Sequence, residues 1–189
     1  WVGVAASGLA TLIGAPAAFV LAKRAFLLRG PAMVLVLAPM ILPRMIIALS
    51  LFYFFAQIGL VGSGVGLVLG HTVLAVPYVV ITVMAVLKSH DDRLELAAGT
   101  LGARRLQTLW HITIPLIRAG LVSAFLFAFV VSFDELTVAL FVTGGLSATL
   151  PKMMWDDALL KVSPMLAAVS TIVLVSVTAM VFAGEATRR

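Results

Sequence analysis

The sequence predicts an all-α bundle of about five membrane-spanning helices. Three observations predict it. First, 62% of the 189 residues are hydrophobic and only 11% are charged, against roughly 45–50% and ~25% in soluble domains. Second, the apolar residues fall into five runs, each near the roughly 20 residues that a helix needs to cross a bilayer. Third, threading those runs alternately puts nearly all Lys and Arg on one side. This much apolar side chain cannot be hidden in one small core, which sets aside a soluble enzyme. The absence of cysteine sets aside a disulfide scaffold, and the low charge sets aside a disordered or acidic chain.

The runs are justified in order. The first, about 2–22, is studded with Gly3, Ala5, Ala6, Gly8, Gly14, Ala17 and Ala18, which suits close helix packing in lipid, and it stops at Lys23-Arg24. The second, about 30–56, follows Gly30-Pro31 and carries Pro39, Pro43 and Arg44. Gly59, Gly62, Ser63 and Gly64 make a turn into the third, about 65–87, which contains His71 and Pro77. The fourth runs from Pro115 to about Val142, and the fifth from Pro164, a favoured first-turn residue, to about Gly184. The chain opens at Trp1 inside apolar sequence with no leader pattern, so one further preceding span is expected to lie outside it. The whole is read as a single transmembrane domain, 1–189.

Placing Lys23, Arg24 and Arg29 in the cytoplasm places Lys88, Arg93, Arg104, Arg105, Arg118, Arg188 and Arg189 there too. Lys152 and Lys161 fall outside, and Arg44 lies within a span. The net charge of +5 is therefore a topology signal rather than a nucleic-acid-binding face.

One cytoplasmic connection is long, about 88–111. Asp91 and Asp92 are good N-cap residues, residues 94–98 are good helix formers, and Gly102 suits a left-handed helix end. A second short helix, 104–110, is expected to lead toward the span at Pro115. The predicted helix–turn–helix is either a docking element for a cytoplasmic partner or a surface element lying on lipid headgroups.

This segment resembles the EAA loop of permease subunits in bacterial ABC importers. That pattern is Glu-Ala-Ala, three residues, Gly, nine residues, Ile, any residue, Leu-Pro. Ala97-Ala98, Gly102, Ile112 and Ile114-Pro115 fit it, whereas Leu96 stands where the pattern has Glu, with Glu95 one position earlier. Phe133-Asp134-Glu135, Phe141-Val142-Thr143-Gly144, Thr149-Leu150-Pro151, Ser163-Pro164, and Gly59 to Ser63 followed by Leu69-Gly70-His71-Thr72 resemble the second permease of spermidine/putrescine-type importers. The resemblance implies a MetI-like type I importer permease. Its implied partners are a homologous second permease, two ATPase subunits and a periplasmic binding protein. On that reading Glu95, Leu96, Ala97, Ala98, Gly102, Ile112 and Pro115 form the ATPase-coupling element. Ala97, Ala98 and Gly102 are small because the ATPase comes close, and Glu95 is the acid available to a partner cation. The chain has no phosphate-binding loop, so ATP and Mg belong to the partner and this chain carries no cofactor, no metal site and no catalytic residue. The solute is expected to be small and organic, a polyamine such as spermidine or putrescine foremost.

Arg44, Asp134 and Glu135 are the charges placed in spans, where each costs at least ~2.5–3.5 kcal/mol and should face protein or water. They are candidates for the substrate path, or for an internal ion pair. Depth argues against the pair. Counted from the cytoplasmic side at about 1.5 Å per residue, Arg44 lies ~18 Å deep and Asp134 ~27 Å deep, with kinks at Pro39 and Pro43 able to shift this. A fixed Arg44 in the path would also repel a polycation, which keeps amino-acid-like or phosphonate solutes open. Asp134 and Glu135 lie about 100° apart on a helix and cannot both face one spot. His71 reads as a helix–helix hydrogen bonder.

Residues 149–161 are expected to form an outer interfacial helix with Lys152–Asp156 and Asp157–Lys161 as i,i+4 pairs. Trp110 and Trp155 fall near opposite membrane faces. A channel or ion-coupled carrier is the competing class. The matched broken spans of such a carrier are not apparent in the sequence.

Overall fold

The computed structural model describes residues 1–23, 27–89, 91, 93–144, 148–160 and 164–186, with side chains omitted at 164–166, 177 and 180–186. The expectations placed on Arg24, Asp92, Lys161, Ser163, Arg188 and Arg189 lie outside the described residues. The described secondary structure is helical: α1 Val2–Lys23, α2 Arg29–Ile41, α3 Arg44–Gln57, α4 Gly64–Ser89, α5 Arg93–Thr100, α6 Arg105–Thr108, a π turn Leu109–Thr113, α7 Ile114–Phe133, α8 Thr137–Val142, α9 Leu150–Leu160 and α10 Pro164–Ala186. Residues 1–148 form one compact unit and 149–189 a second, and each is described by itself.

In the first unit α4 is the centre, with α1 and α7 packed along it. The seam of α1 repeats every four residues: Val2, Ala6, Ala10, Gly14 and Ala18 are all buried. Of the small residues expected to pack, Ala6, Gly14 and Ala18 do so, while Gly8 has open space around it. A Cβ on Gly14 would sit 2.9 Å from Val79 Cγ1, so α1 and α4 approach too closely for any larger residue there. Gly120 plays the same part between α7 and α4, where a Cβ would lie 2.6 Å from Val86 Cγ2. Such contacts are dispersion packing, the attraction that remains between helices once lipid removes the hydrophobic drive.

Two of the five runs are not single helices. The run 30–56 is broken at Leu42-Pro43, and α2 and α3 are bent by 103°. Pro43 has no N–H to continue the ladder and drives the preceding residue out of helical conformation. Leu42 is accordingly extended, with φ −72° and ψ 145°. The run from Pro115 to Val142 breaks at Asp134 to Leu136, leaving α8 as a separate short helix. The two pieces beyond the breaks pack on each other and on α4 in a second core of Ile47, Ala48, Phe55, Leu74, Val138 and Val142.

The expected short helix 104–110 is also corrected. Residues 105–133 form one continuous helical span, 29 residues long, with the π turn inside it. Pro115 supplies the reason: it cannot donate to the carbonyl four residues back and its ring crowds that carbonyl. The turn before it widens, so that Ile114 N–H bonds Leu109 O, five residues away.

Among the described residues, three helices are long and apolar enough to cross a membrane, and four if the bent pair counts as one span. The fifth run forms α10, 23 residues, in the second unit. There α9 spans Leu150–Leu160, within the expected 149–161, and Lys152 Nζ donates to Asp156 Oδ2 at 2.6 Å.

Candidate functional site

The C-terminal ends of α1 and α4 and the N-terminal end of α7 gather at one end of the first unit. Leu21, Leu87 and Ile117 share a core cluster there, while Gly3 meets Phe129 near the other end. At the first end sits α5, with both of its ends fixed by local chemistry. Asp91 Oδ1 accepts from Arg93 N–H at 2.9 Å, as its N-cap reading predicts. At the C-terminus Gly102 has φ +84°, Ala103 N–H bonds Ala98 O, and Gly102 N–H bonds Gly99 O, each at 3.0 Å. This pair of bonds is a Schellman ending, and its left-handed residue is the reason for glycine at 102.

The two faces of α5 differ. Leu94 is 50% exposed, Leu96 68% and Leu101 88%, and exposed Leu106 and Trp110 follow on the next helix. Ala97 is exposed, as are Gly102 and Pro115, whereas Ile112 is half-buried. The inward face carries Glu95 and Ala98, three residues apart. Ala98 is the one buried residue of this helix, so its small size serves packing within the chain rather than a partner's approach. Glu95 is also placed differently from its expected role as the acid for a partner cation. Its Oε1 accepts from Lys23 Nζ at 2.5 Å and from Thr113 Oγ1 at 2.9 Å. Beside this junction lies an open cleft of about 830 Å³, lined by Phe19, Lys23, Glu95, Gly99, Arg105 and Thr113 among others. Lys23 and Thr113 carried no sequence signal for this junction, because Lys23 reads as an ordinary loop charge and Thr113 as the variable residue of the motif.

The second candidate set lies at the two helix breaks. Arg44 begins α3, and Arg44 Nη1 is 3.3 Å from Glu135 Oε2. This contact overturns the depth argument, which took the two helices to start at the same level; the counted stretches, α2 and α7, are each unbroken and the bend comes only after Ile41. Glu135 is 1% exposed, whereas the Arg44 side chain is 51% exposed. The other oxygen of Glu135 accepts Val138 N–H at 3.0 Å and so caps α8, where a negative charge also suits the helix dipole. Asp134 is exposed, so the two acids do point to different places. A cavity of about 100 Å³ reaches this pair, walled by Pro39, Met40, Leu74, Tyr78 and Val131. Behind it His71 Nδ1 lies 2.9 Å from Ser132 Oγ and 3.0 Å from Ser132 O, bearing out the helix–helix role read for His71. Ser132 was missed in the sequence; a lone serine beside Phe133-Asp134-Glu135 was its signal.

The first unit is thus a broken-span membrane bundle with a small exposed helix at one end and charged residues at its breaks. Residues 10–189 match the family of binding-protein-dependent transport system inner membrane components, and the chain belongs to that family. It is similar to the molybdenum transport system permease protein ModB of Mycobacterium tuberculosis H37Rv, 31% identical over 205 residues, covering 97% of this chain and 78% of that protein. It is likewise similar to the spermidine/putrescine transport system permease protein PotC of Escherichia coli K12, 33% identical, covering 93% and 67%. The putrescine transport system permease protein PotI of the same strain is 32% identical over 146 residues, covering 74% and 52%. A solved structure of a bacterial ABC transporter involved in the import of the acidic polysaccharide alginate shares the fold, with TM-score 0.61 at 21% identity. The match covers 89% of this chain and 62% of that one. Family membership decides against the channel or ion-coupled carrier considered from the sequence.

Proposed function

We propose that the chain is one permease subunit of an ATP-driven, binding-protein-dependent importer, and that α5 is the element through which a separate ATPase drives it. The observation that carries this reading is the two-faced α5: exposed Leu96 and Ala97 outward, Glu95 and Ala98 held to the bundle inward. An exposed apolar patch of this kind at a helix surface marks a docking site. The Lys/Arg bias puts α5 in the cytoplasm, where an ATPase resides. A homologous second permease, two ATPase subunits bearing ATP and Mg, and a periplasmic binding protein complete the assembly. The test is co-purification with the ATPase subunit co-expressed with this chain. Leu96→Glu is expected to abolish it while the permease stays folded; retention of full binding contradicts the reading.

The solute we favour is a polyamine. Arg44 does not stand as a free cation that would repel one, because Glu135 offsets its charge at 3.3 Å. Exposed Asp134 then leaves the region of the breaks with one unbalanced negative charge. The similarity to PotC and PotI supports the same solute class. A second reading, an oxyanion, is favoured by the half-exposed guanidinium of Arg44 and the similarity to ModB. Titration of the cognate binding protein with spermidine and with molybdate separates the two.

A further inference from the structure

We propose that Glu95 is a positioning residue that ties α5 to α1 and to the start of α7, so that these helices move with α5 as one body. The inference rests on the coupling role of α5 proposed above and reverses the use expected of its acid: Glu95 serves within the chain rather than as a partner for the ATPase.

The helix needs such a tie. It is eight residues long, and only Ala98 is buried, so packing alone holds it weakly. Its covalent link to α6 and α7 passes through Leu101 to Arg104, which includes Gly102 at φ +84°. It has no near covalent link to α1 at all, since Lys23 is 72 residues away in sequence. The single oxygen Oε1 of Glu95 spans both gaps, taking Lys23 Nζ from the last turn of α1 and Thr113 Oγ1 from the π turn that enters α7.

Thr113 is the last residue of the widened turn set by Pro115, and its hydroxyl also reaches Thr108 O at 3.4 Å. Single-turn π insertions recur at functional positions, and this one ends on a residue that meets the acid of α5. A charge-assisted pair that is 27% and 29% exposed is firm enough to transmit a displacement, yet it adds little to the stability of the fold. The displacement of Glu95 by one position from the family pattern therefore turns an outward acid into an inward one. On a helix that single step is about 100° of rotation.

The test uses the assembled complex with its ATPase, with spin labels at Leu12 on α1 and Thr100 on α5, both exposed. Distances are read with ADP and after trapping with ATP and vanadate, so no transported solute is required. In the wild type the α1–α5 distance is expected to stay single and unchanged between the two states. In Lys23→Met and in Glu95→Gln it is expected to match the wild type with ADP and to shift or broaden by about 2 Å or more on trapping. The exchanged variant, Lys23→Glu with Glu95→Lys, is expected to restore the narrow distribution.

Three outcomes overturn the proposal. They are single variants that keep the wild-type distribution in both states, a wild-type distance that itself changes on trapping, and an exchanged pair that recovers nothing. Failure of the ATPase subunit to co-purify with the wild type removes the coupling reading and this tie with it. That result is distinct from an assembled complex in which only the distances disagree.

Discussion

Glu95 and Glu135 each hold a cation that comes from a remote part of the chain, and the two junctions are built oppositely. Glu95 and Lys23 are both about a quarter exposed and share their junction with a hydroxyl at the edge of an open cleft. Glu135 is 1% exposed, caps a helix with one oxygen and meets Arg44 with the other. The difference teaches what each junction can do. A partly solvated pair contributes about 0–1 kcal/mol to the fold, so it can serve motion without being needed for stability, whereas a buried carboxylate stripped of its cation is strongly unfavourable. The end of the bundle that carries α5 therefore suits transmission, and the breaks suit a fixed internal geometry.

Substitutions can break or sharpen this contrast. The largest effect is expected for Arg44→Ala, which leaves the Glu135 charge buried and unpaired. The loss should approach the lower end of the ~3–5 kcal/mol range, reduced because Arg44 is half-exposed, and thermal unfolding in detergent measures it. Gly14→Leu attacks the α1–α4 seam that joins the two regions; overpacking against Val79 should destabilise by about 1–3 kcal/mol in the same assay. Ser132→Ala removes the hydroxyl beside His71 and should lower stability by about 1 kcal/mol. Lys23→Met should change stability by about 1 kcal/mol or less, although it uncouples α5 from α1. Asp134→Asn, at an exposed position, should leave unfolding unchanged. A change in solute uptake by that variant would assign Asp134 to the path.

Much of this fold was legible because lipid imposes a simple rule on composition. The runs at 2–22 and 65–87 became α1 and α4 almost residue for residue, and the loop helix appeared with its Asp91 cap and Gly102 ending in place. Hydropathy is blind to direction, however, and although Pro39 and Pro43 marked sites for kinks, both interrupted runs were counted as single spans. Pro43 announced its break. Asp134-Glu135 announced polarity but not the loss of helix. The error in depth arose because residue counts along two helices compare only when both start at the same level with the same tilt, which the sequence does not give. Leu96, Ala97 and Gly102, proposed here to couple to the ATPase, are exposed. Ala98 and Glu95 proved to face inward, a distinction set by tertiary contacts and not by spacing. The Lys23–Glu95 pairing joins residues 72 apart and has no local signature.

The account's central claim is that an external ATPase drives this permease through α5. Proteoliposomes containing the chain, its partner permease and the ATPase subunit, supplied with the loaded binding protein, test it most directly through ATP-dependent solute uptake. The account predicts uptake that requires ATP and is lost in Leu96→Glu while the permease itself remains folded. Uptake that continues without the ATPase subunit, or that is unaffected by Leu96→Glu, would contradict it.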